Sequence, residues 1–245
     1  MAPARRLPAR GGPLLLLCLA WLLLGLGFAV WLPMARAGEL KPVEQAPAPV
    51  ETFVPPPAGS YELQHIMKAG EGRVLDVQGT PRQLSEFTGG KVTLLSFIYT
   101  TCADPNGCPY AYLVFHNLRN RLAQDPRLHG RARLVSLSFD PGRDTPAMLR
   151  LYAGDHAKPG QPVEWAFLTT SGLPDLLPIL DDFGQDVFLE VDPVSKAHLG
   201  TYSHVLKVFL IDAGHTVREV YTTVYLNADM VYNDILTLLM EEGLK

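Results

Sequence analysis

The run Lys91-Val-Thr-Leu-Leu-Ser-Phe-Ile-Tyr99 is almost unbroken apolar sequence over one strand length. A strand with one wet face alternates apolar and polar side chains, whereas a continuous run needs cover on both faces. This stretch predicts a central strand with packed layers above and below it. Arg133-Leu-Val-Ser-Leu-Ser-Phe139 has the same character and predicts a second buried strand. Between the two, Pro109 opens a stretch with Ala111, Phe115, Leu118 and Leu122 at helical offsets, the stripe of an amphipathic helix.

The alternation continues. Asp144-Thr145-Pro146 predicts a helix start, with Asp144 as the candidate cap and proline in the first turn. Residues 165–168 predict a short strand, and residues 173–183 a helix punctuated by proline. Residues 204–211 predict a strong strand, which Asp212-Ala-Gly214 turns into a hairpin with residues 217–221. Residues 227–242 close the chain as an amphipathic helix. This order implies α/β layers around one mixed sheet. It fits a thioredoxin-like topology with an insertion between Asp186 and Ser203. Met148, Phe97, Phe139 and Trp165 read as core.

Ahead of this domain the chain has a different character. Residues 14–32 carry no charge and follow Arg5, Arg6 and Arg10; Ala35-Arg36-Ala37 comes next. A basic start, an apolar stretch and a small-x-small site are the parts of a secretory signal, cleaved after Ala37. The apolar run is also near bilayer-spanning length, so a retained anchor fits the same residues. Either reading places the rest of the chain outside the cytoplasm, periplasmic and either soluble or anchored by residues 14–32. Without residues 1–37, 17 Lys and Arg face 25 Asp and Glu, a net charge of about −8. That balance argues against a nucleic-acid partner, whose phosphates demand a cationic surface. Residues 38–60, with Pro42, Pro47, Pro49 and Pro55-Pro56-Pro57, read as an extended tether. The organisation expected is a signal or anchor over 1–37, a linker over 38–60 and one domain over 61–245.

Cys18 lies in the apolar run, which leaves Cys102 and Cys108 for the domain. Two cysteines make no disulfide scaffold. A single close pair in an oxidising compartment is a structural disulfide, a redox pair or a soft-metal site. The segment Tyr99-Thr-Thr-Cys102-Ala-Asp-Pro-Asn-Gly-Cys108-Pro109 leaves the first buried strand and enters the helix. Cys108 reads as the helix N-cap, where free amides and the dipole favour a thiolate, so a lowered pKa is expected. Asp104-Pro105-Asn106-Gly107 has the composition of a type I turn that folds the loop back and brings the sulfurs together. His204 precedes a strand expected beside the one ending at Tyr99, which sets its ring at the same sheet edge. Asp140 and Asp144 flank Pro141-Gly142 as turn acids. The remaining histidines, His65 (with Met67 nearby), His116, His129, His156, His198 and His215, lack such placement and read as surface or structural.

Three segments together resemble the Sco/SenC family of copper chaperones. They are Leu-Ser-Phe-Ile-Tyr-Thr-Thr-Cys102 leading to Cys108-Pro109, then Val-Ser-Leu-Ser-Phe-Asp140-Pro-Gly-Arg-Asp144-Thr-Pro146, then Tyr202-Ser-His204-Val-Leu-Lys-Val-Phe-Leu-Ile-Asp212. The likeness weakens before Val74 and after Tyr221. It implies an exported, tethered, thioredoxin-like metallochaperone that assists assembly of a respiratory copper centre of the cytochrome c oxidase type. It implies one copper ion on Cys102, Cys108 and His204, with Asp140 or Asp144 as the outer-shell acid. The implied partner is a copper-receiving oxidase subunit or another thiol protein. The family usually places three residues between its cysteines, and this chain has five.

Two thiolates and an imidazole suit copper, and three ligands leave an open edge for passing the metal on. Zinc would take a fourth ligand, which Asp104 or Asp140 can supply. The alternative is an enzyme, a thiol–disulfide oxidoreductase in which Cys108 attacks and Cys102 resolves the mixed disulfide. Against it, the short Cys-x-x-Cys spacing is missing, and Thr201-Tyr-Ser-His204 lacks the proline that thioredoxins place there. A thiol peroxidase would carry a proline shortly before its reactive cysteine, and residues 95–101 contain none. A binding module with a structural Cys102–Cys108 disulfide is the fourth reading.

Overall fold

A computed structural model describes residues 53–244. The apolar run 14–32, the Ala35–Ala37 pattern, Cys18 and the first part of the tether lie outside the described residues. In chain order the elements are β1 (Met67–Lys68), β2 (Arg73–Leu75), β3 (Pro81–Gln83), α1 (Ser85–Thr88), β4 (Val92–Ile98), α2 (Cys108–Ala123), β5 (Ala132–Ser138) and α3 (Pro146–Ala153). They continue as β6 (Glu164–Leu168), α4 (Leu173–Asp182), β7 (Val187–Val191), β8 (His198–His204), β9 (Lys207–Ile211), β10 (Thr216–Thr222) and α5 (Ala228–Glu241).

The main sheet runs β1-β10-β9-β4-β5-β6. β4, β5 and β6 are parallel, while β9 is antiparallel to β4 and β10 to β9. Every residue of β4 and β5 is buried, as their unbroken apolar runs require. Their alternation feeds two cores. Val92, Leu94 and Leu134 face α2 and α5, meeting Ala111, Phe115, Leu118, Ile235 and Leu238. Leu95, Phe97 and Leu137 face the other way, toward Leu176, Ile179 and Phe183 of the α4 side. The result is the thioredoxin-like mixed sheet between helices that the element order implies.

The insertion forms a separate ribbon. β7 and β8 pair only with each other, starting from Val187 opposite His204. The single strand expected over 204–211 is therefore two: β8 ends at His204 and β9 begins at Lys207. The Gln185 side-chain amide donates to the carbonyls of Asp186 and Val205, at 3.2 and 3.1 Å. It ties the two feet of the ribbon together where the chain passes from one sheet to the other.

Two further expectations change. Thr145, not Asp144, caps α3, its Oγ1 accepting from the Met148 amide at 3.4 Å. Met148 is 46% exposed on that helix, while Phe97, Phe139 and Trp165 are buried as expected. At the start of the described chain, Asn233 of α5 donates to the Pro56 carbonyl (2.8 Å) and the Gly59 amide to Thr237 Oγ1 (2.9 Å). The buried Asp234 carboxylate accepts from Tyr61 (2.5 Å) and Tyr221 (2.6 Å). The chain is thus fastened to α5 from Pro56 onward. Among the described residues no helix is long and apolar enough to cross a membrane.

Phe97 is wedged edge-on between Phe183 and Phe209, at ring-centroid distances of 5.4 and 6.0 Å. Phe97→Ala is expected to cost about 3–5 kcal/mol of stability, read as a lower urea midpoint with an unchanged slope.

Candidate functional site

β4 delivers the chain to the sheet edge, and the loop after it folds tightly. The Cys102 amide donates to the Tyr99 carbonyl (3.2 Å) and the Gly107 amide to the Asp104 carbonyl (3.0 Å). The Asp104 side chain accepts from the Asn106 amide at 3.0 Å. The turn expected over residues 104–107 is present, and it packs under a sulfur: a Cβ on Gly107 would lie 3.3 Å from Cys102 Sγ. Glycine leaves that space open.

Cys108 is the first helical residue of α2, with Gly107 as N-cap, one position further in than expected. Both cysteines are free thiols, close enough to hydrogen-bond with each other. Cys108 is 1% exposed, whereas Cys102 is half-buried. Burial pushes the Cys108 thiol far up, and the favourable backbone groups of Tyr99 and of Cys108 itself do not offset it. The expected lowering is therefore reversed: the Cys108 side chain turns into the apolar core, although Pro109 beside it is exposed. Cys102, and not the Cys108 expected to attack in the oxidoreductase reading, is the more exposed of the two thiols. A pocket of 240 Å³ opens beside both sulfurs, walled by Tyr99, Pro109, Tyr112 and Tyr152.

His204, the last residue of β8, packs edge-on against Phe139 (4.9 Å) and Tyr99 (6.1 Å). Both of its ring nitrogens are buried without a hydrogen-bond partner. Burial lowers its pKa; the Tyr202 backbone and the Asp104 charge oppose that only in part. Tyr99 touches both sides of the site, since its hydroxyl meets the Cys102 thiol and its ring meets His204. Its own pKa is pushed up to about 12, mainly by burial. The structure thus joins the two thiols and brings His204 to the same end of the sheet. Among the described residues no three His, Cys, Asp or Glu side chains converge closely enough to hold a metal ion.

Asp144 and Asp140 divide their work. Asp144, 1% exposed, accepts from the Thr100 amide (3.0 Å), the Thr100 hydroxyl and the Ser138 hydroxyl (2.6 Å). It clamps the cysteine loop to the end of β5. Asp140 pairs with Arg143 at 2.5 Å, and its amide donates to Ser138 Oγ at 3.0 Å. Other histidines have partners elsewhere: His156 faces Arg119 (2.8 Å), and His215 faces Thr88 (3.1 Å) and Glu71 (3.0 Å). Tyr99, Arg143 and Tyr202 were not singled out from sequence. The two-residue spacing of Tyr202 and His204 was the available signal, since such a pair shares one face of a strand.

A family model described as SCO1/SenC matches residues 67–240. The fold is similar to that of copper-bound ScoI from Arabidopsis thaliana, with a TM-score of 0.57 and 17% identity over 71% of this chain and 98% of that one. It is similar to apo Sco1 from Thermus thermophilus in solution, with a TM-score of 0.55 and 23% identity over 72% and 94%. A third is BsSco, described through its disulfide switch as a member of the Sco family of cytochrome c oxidase assembly proteins; there the TM-score is 0.52 and identity 20%, over 76% and 100%. No curated protein matches this chain by sequence.

Unequal burial predicts unequal reactivity. With iodoacetamide at pH 8, Cys102 is expected to be alkylated at least ~10-fold faster than Cys108, because the thiolate is the nucleophile and burial suppresses it. Peptide mass spectrometry measures both rates, and equal rates would contradict the burial described.

Proposed function

We propose that this chain, which belongs to the SCO1/SenC family, carries copper on Cys102, Cys108 and His204 and passes it to a respiratory copper centre of the cytochrome c oxidase type. The observation that carries this reading is a pair of adjacent free thiols facing the same sheet end as an imidazole with two orphaned nitrogens. A buried polar group without a partner costs about 1–3 kcal/mol, and a bond from nitrogen to a metal removes that cost. Sulfur and imidazole donors also match a soft ion. The copper-bound ScoI of A. thaliana and the cytochrome c oxidase assembly role of BsSco's family support the cargo and its destination.

Each residue has a task in this reading. Cys102 and Cys108 give up their protons and bind through sulfur, so loading releases protons. His204 supplies the third donor and must close on the thiols. Asp144 keeps the cysteine loop seated through Thr100, and Asp140 acts through Arg143. Three donors leave one edge open, where a ligand of the receiving protein can attach before these let go. The pocket walled by Tyr99, Pro109, Tyr112 and Tyr152 gives that ligand a path to both sulfurs. The N-terminal features fit the role: export or anchoring by residues 14–32, a tether over 38–60, and a partner that is an oxidase subunit or another thiol protein.

The adjacent thiols, one reachable and one buried, also favour a second reading as a thiol–disulfide oxidoreductase. The Cys102 thiolate would attack a partner disulfide and expel one partner thiolate. Cys108 would then attack Cys102 sulfur, expel the second and leave a Cys102–Cys108 disulfide. His204 has no part in that exchange.

The reduced protein is expected to hold about one copper ion per chain in competition with a mild chelator, as a three-donor soft site does. Cys102→Ala, Cys108→Ala and His204→Ala should each lose it. Metal analysis after desalting decides: no retained copper on the reduced wild type ends the copper reading. Disulfide-reduction turnover unchanged by His204→Ala would favour the second.

A further inference from the structure

Tyr202 and His204 stand two residues apart on β8, so strand alternation puts both side chains on one face of the ribbon. That face lies on Tyr99 and Phe139. Tyr202 meets them at ring-centroid distances of 5.2 and 5.4 Å, beside the two His204 contacts already described. The Tyr202 end of this stack is gripped. The Arg143 guanidinium sits 5.6 Å from the Tyr202 ring centroid, and the Tyr202 hydroxyl meets both Arg143 and Asp140. Arg143 is in turn held by Asp140, Nε to Oδ2 at 2.5 Å. The ribbon backbone also runs close to this arginine. Gly200 has a φ of +79°, and a Cβ there would lie 3.2 Å from Arg143 Nη1. A side chain at this position would be strained and would press on the guanidinium.

The ribbon has few other holds. Its ladder bonds are internal, and the Gln185 amide ties only its feet. With the stack in place, His204 keeps both ring nitrogens buried and unpartnered, and the Tyr99 ring lies against it while the Tyr99 hydroxyl meets Cys102. An imidazole in that position is held by its neighbours and not by hydrogen bonds of its own.

We propose that Arg143 and Tyr202 form a latch that parks His204 in the niche made by Tyr99 and Phe139, short of the two thiols. Its release lets the ribbon carry the imidazole to Cys102 and Cys108. This rests on the reading of those three residues as a copper site. Arg143 and Tyr202 are positioning residues: neither touches the ion, and both set how readily the third donor arrives. Weakening the latch destabilises the parked arrangement relative to the closed one, which shifts the population toward closure.

Tyr202→Phe keeps the ring and removes the hydroxyl, and Arg143→Gln keeps the bulk and removes the charge. Hydrogen exchange of residues 187–204 in the full-length reduced protein is expected to rise ~10-fold in each variant. Stopped-flow uptake of Cu(I) from a weak chelator should speed up about threefold or more as the closed population grows, with Tm essentially unchanged. A purely structural role would lower Tm and slow uptake. Unchanged exchange in both variants, or uptake that stays the same or slows, overturns the latch. If even the wild type takes up no copper, the copper reading fails, and the exchange rates alone decide whether the latch exists.

Discussion

β4 must be dry on both faces, and that demand sets where the chemistry can sit. A strand covered above and below can expose its chain only where it ends, so the loop after Ile98 emerges at a sheet edge between two cores. Leaving the sheet strands the backbone of that loop, and Asp144 resolves the problem. Its buried carboxylate takes the Thr100 amide and hydroxyl on one side and the Ser138 hydroxyl on the other. The cysteine loop is therefore bolted to the end of β5, the neighbouring parallel strand. The compact turn over 104–107 then returns the chain to start α2 with Cys108 at its first position.

Much of this was legible in advance, and the failures share a cause. Continuous apolar runs mark β4 and β5 because double-sided burial leaves a signature in composition alone. The stripe of Ala111, Phe115, Leu118 and Leu122 marks α2 for the equivalent reason in helical period, and the Asp104–Gly107 turn is written in residues with local conformational preferences. What sequence did not give depends on contacts across long separations. Asp144 looked like a helix cap by position, but Thr145, one residue nearer the helix, takes that task while Thr100, forty-four residues away, claims the carboxylate. Cys108 looked activated because helix starts are usually wet, and here its side chain turns inward from a first turn whose Pro109 is exposed. The strand over 204–211 looked continuous because nothing in local composition announces that the chain changes sheets at Val205 and Leu206.

The two sulfurs end up chemically unequal. Cys108 is buried against aromatic walls that hold it as a thiol, while Cys102 sits over the turn and faces the pocket. The aromatic residues around them, Tyr99 above all, lower the local polarity and connect the thiols to the histidine through ring contacts. Charge enters through the buried Asp144 carboxylate under the cysteine loop and through Arg143 with Asp140 at the far end of the stack. Sulfur and imidazole groups in general suit soft, weakly hydrated species, whereas hard cations call for oxygen donors.

The ribbon is inserted between two points that the rest of the molecule already fixes. Gln185 and Val205 bind its feet together, and β9 resumes with Val208 opposite Ser96 whatever has happened in between. The loop thus behaves as a cassette: its length and shape can drift over evolutionary time without slipping the register of the central strands. Because His204 lies on the cassette and the cysteines lie on the frame, the position of the imidazole is free to be retuned while the two thiols stay where the sheet puts them.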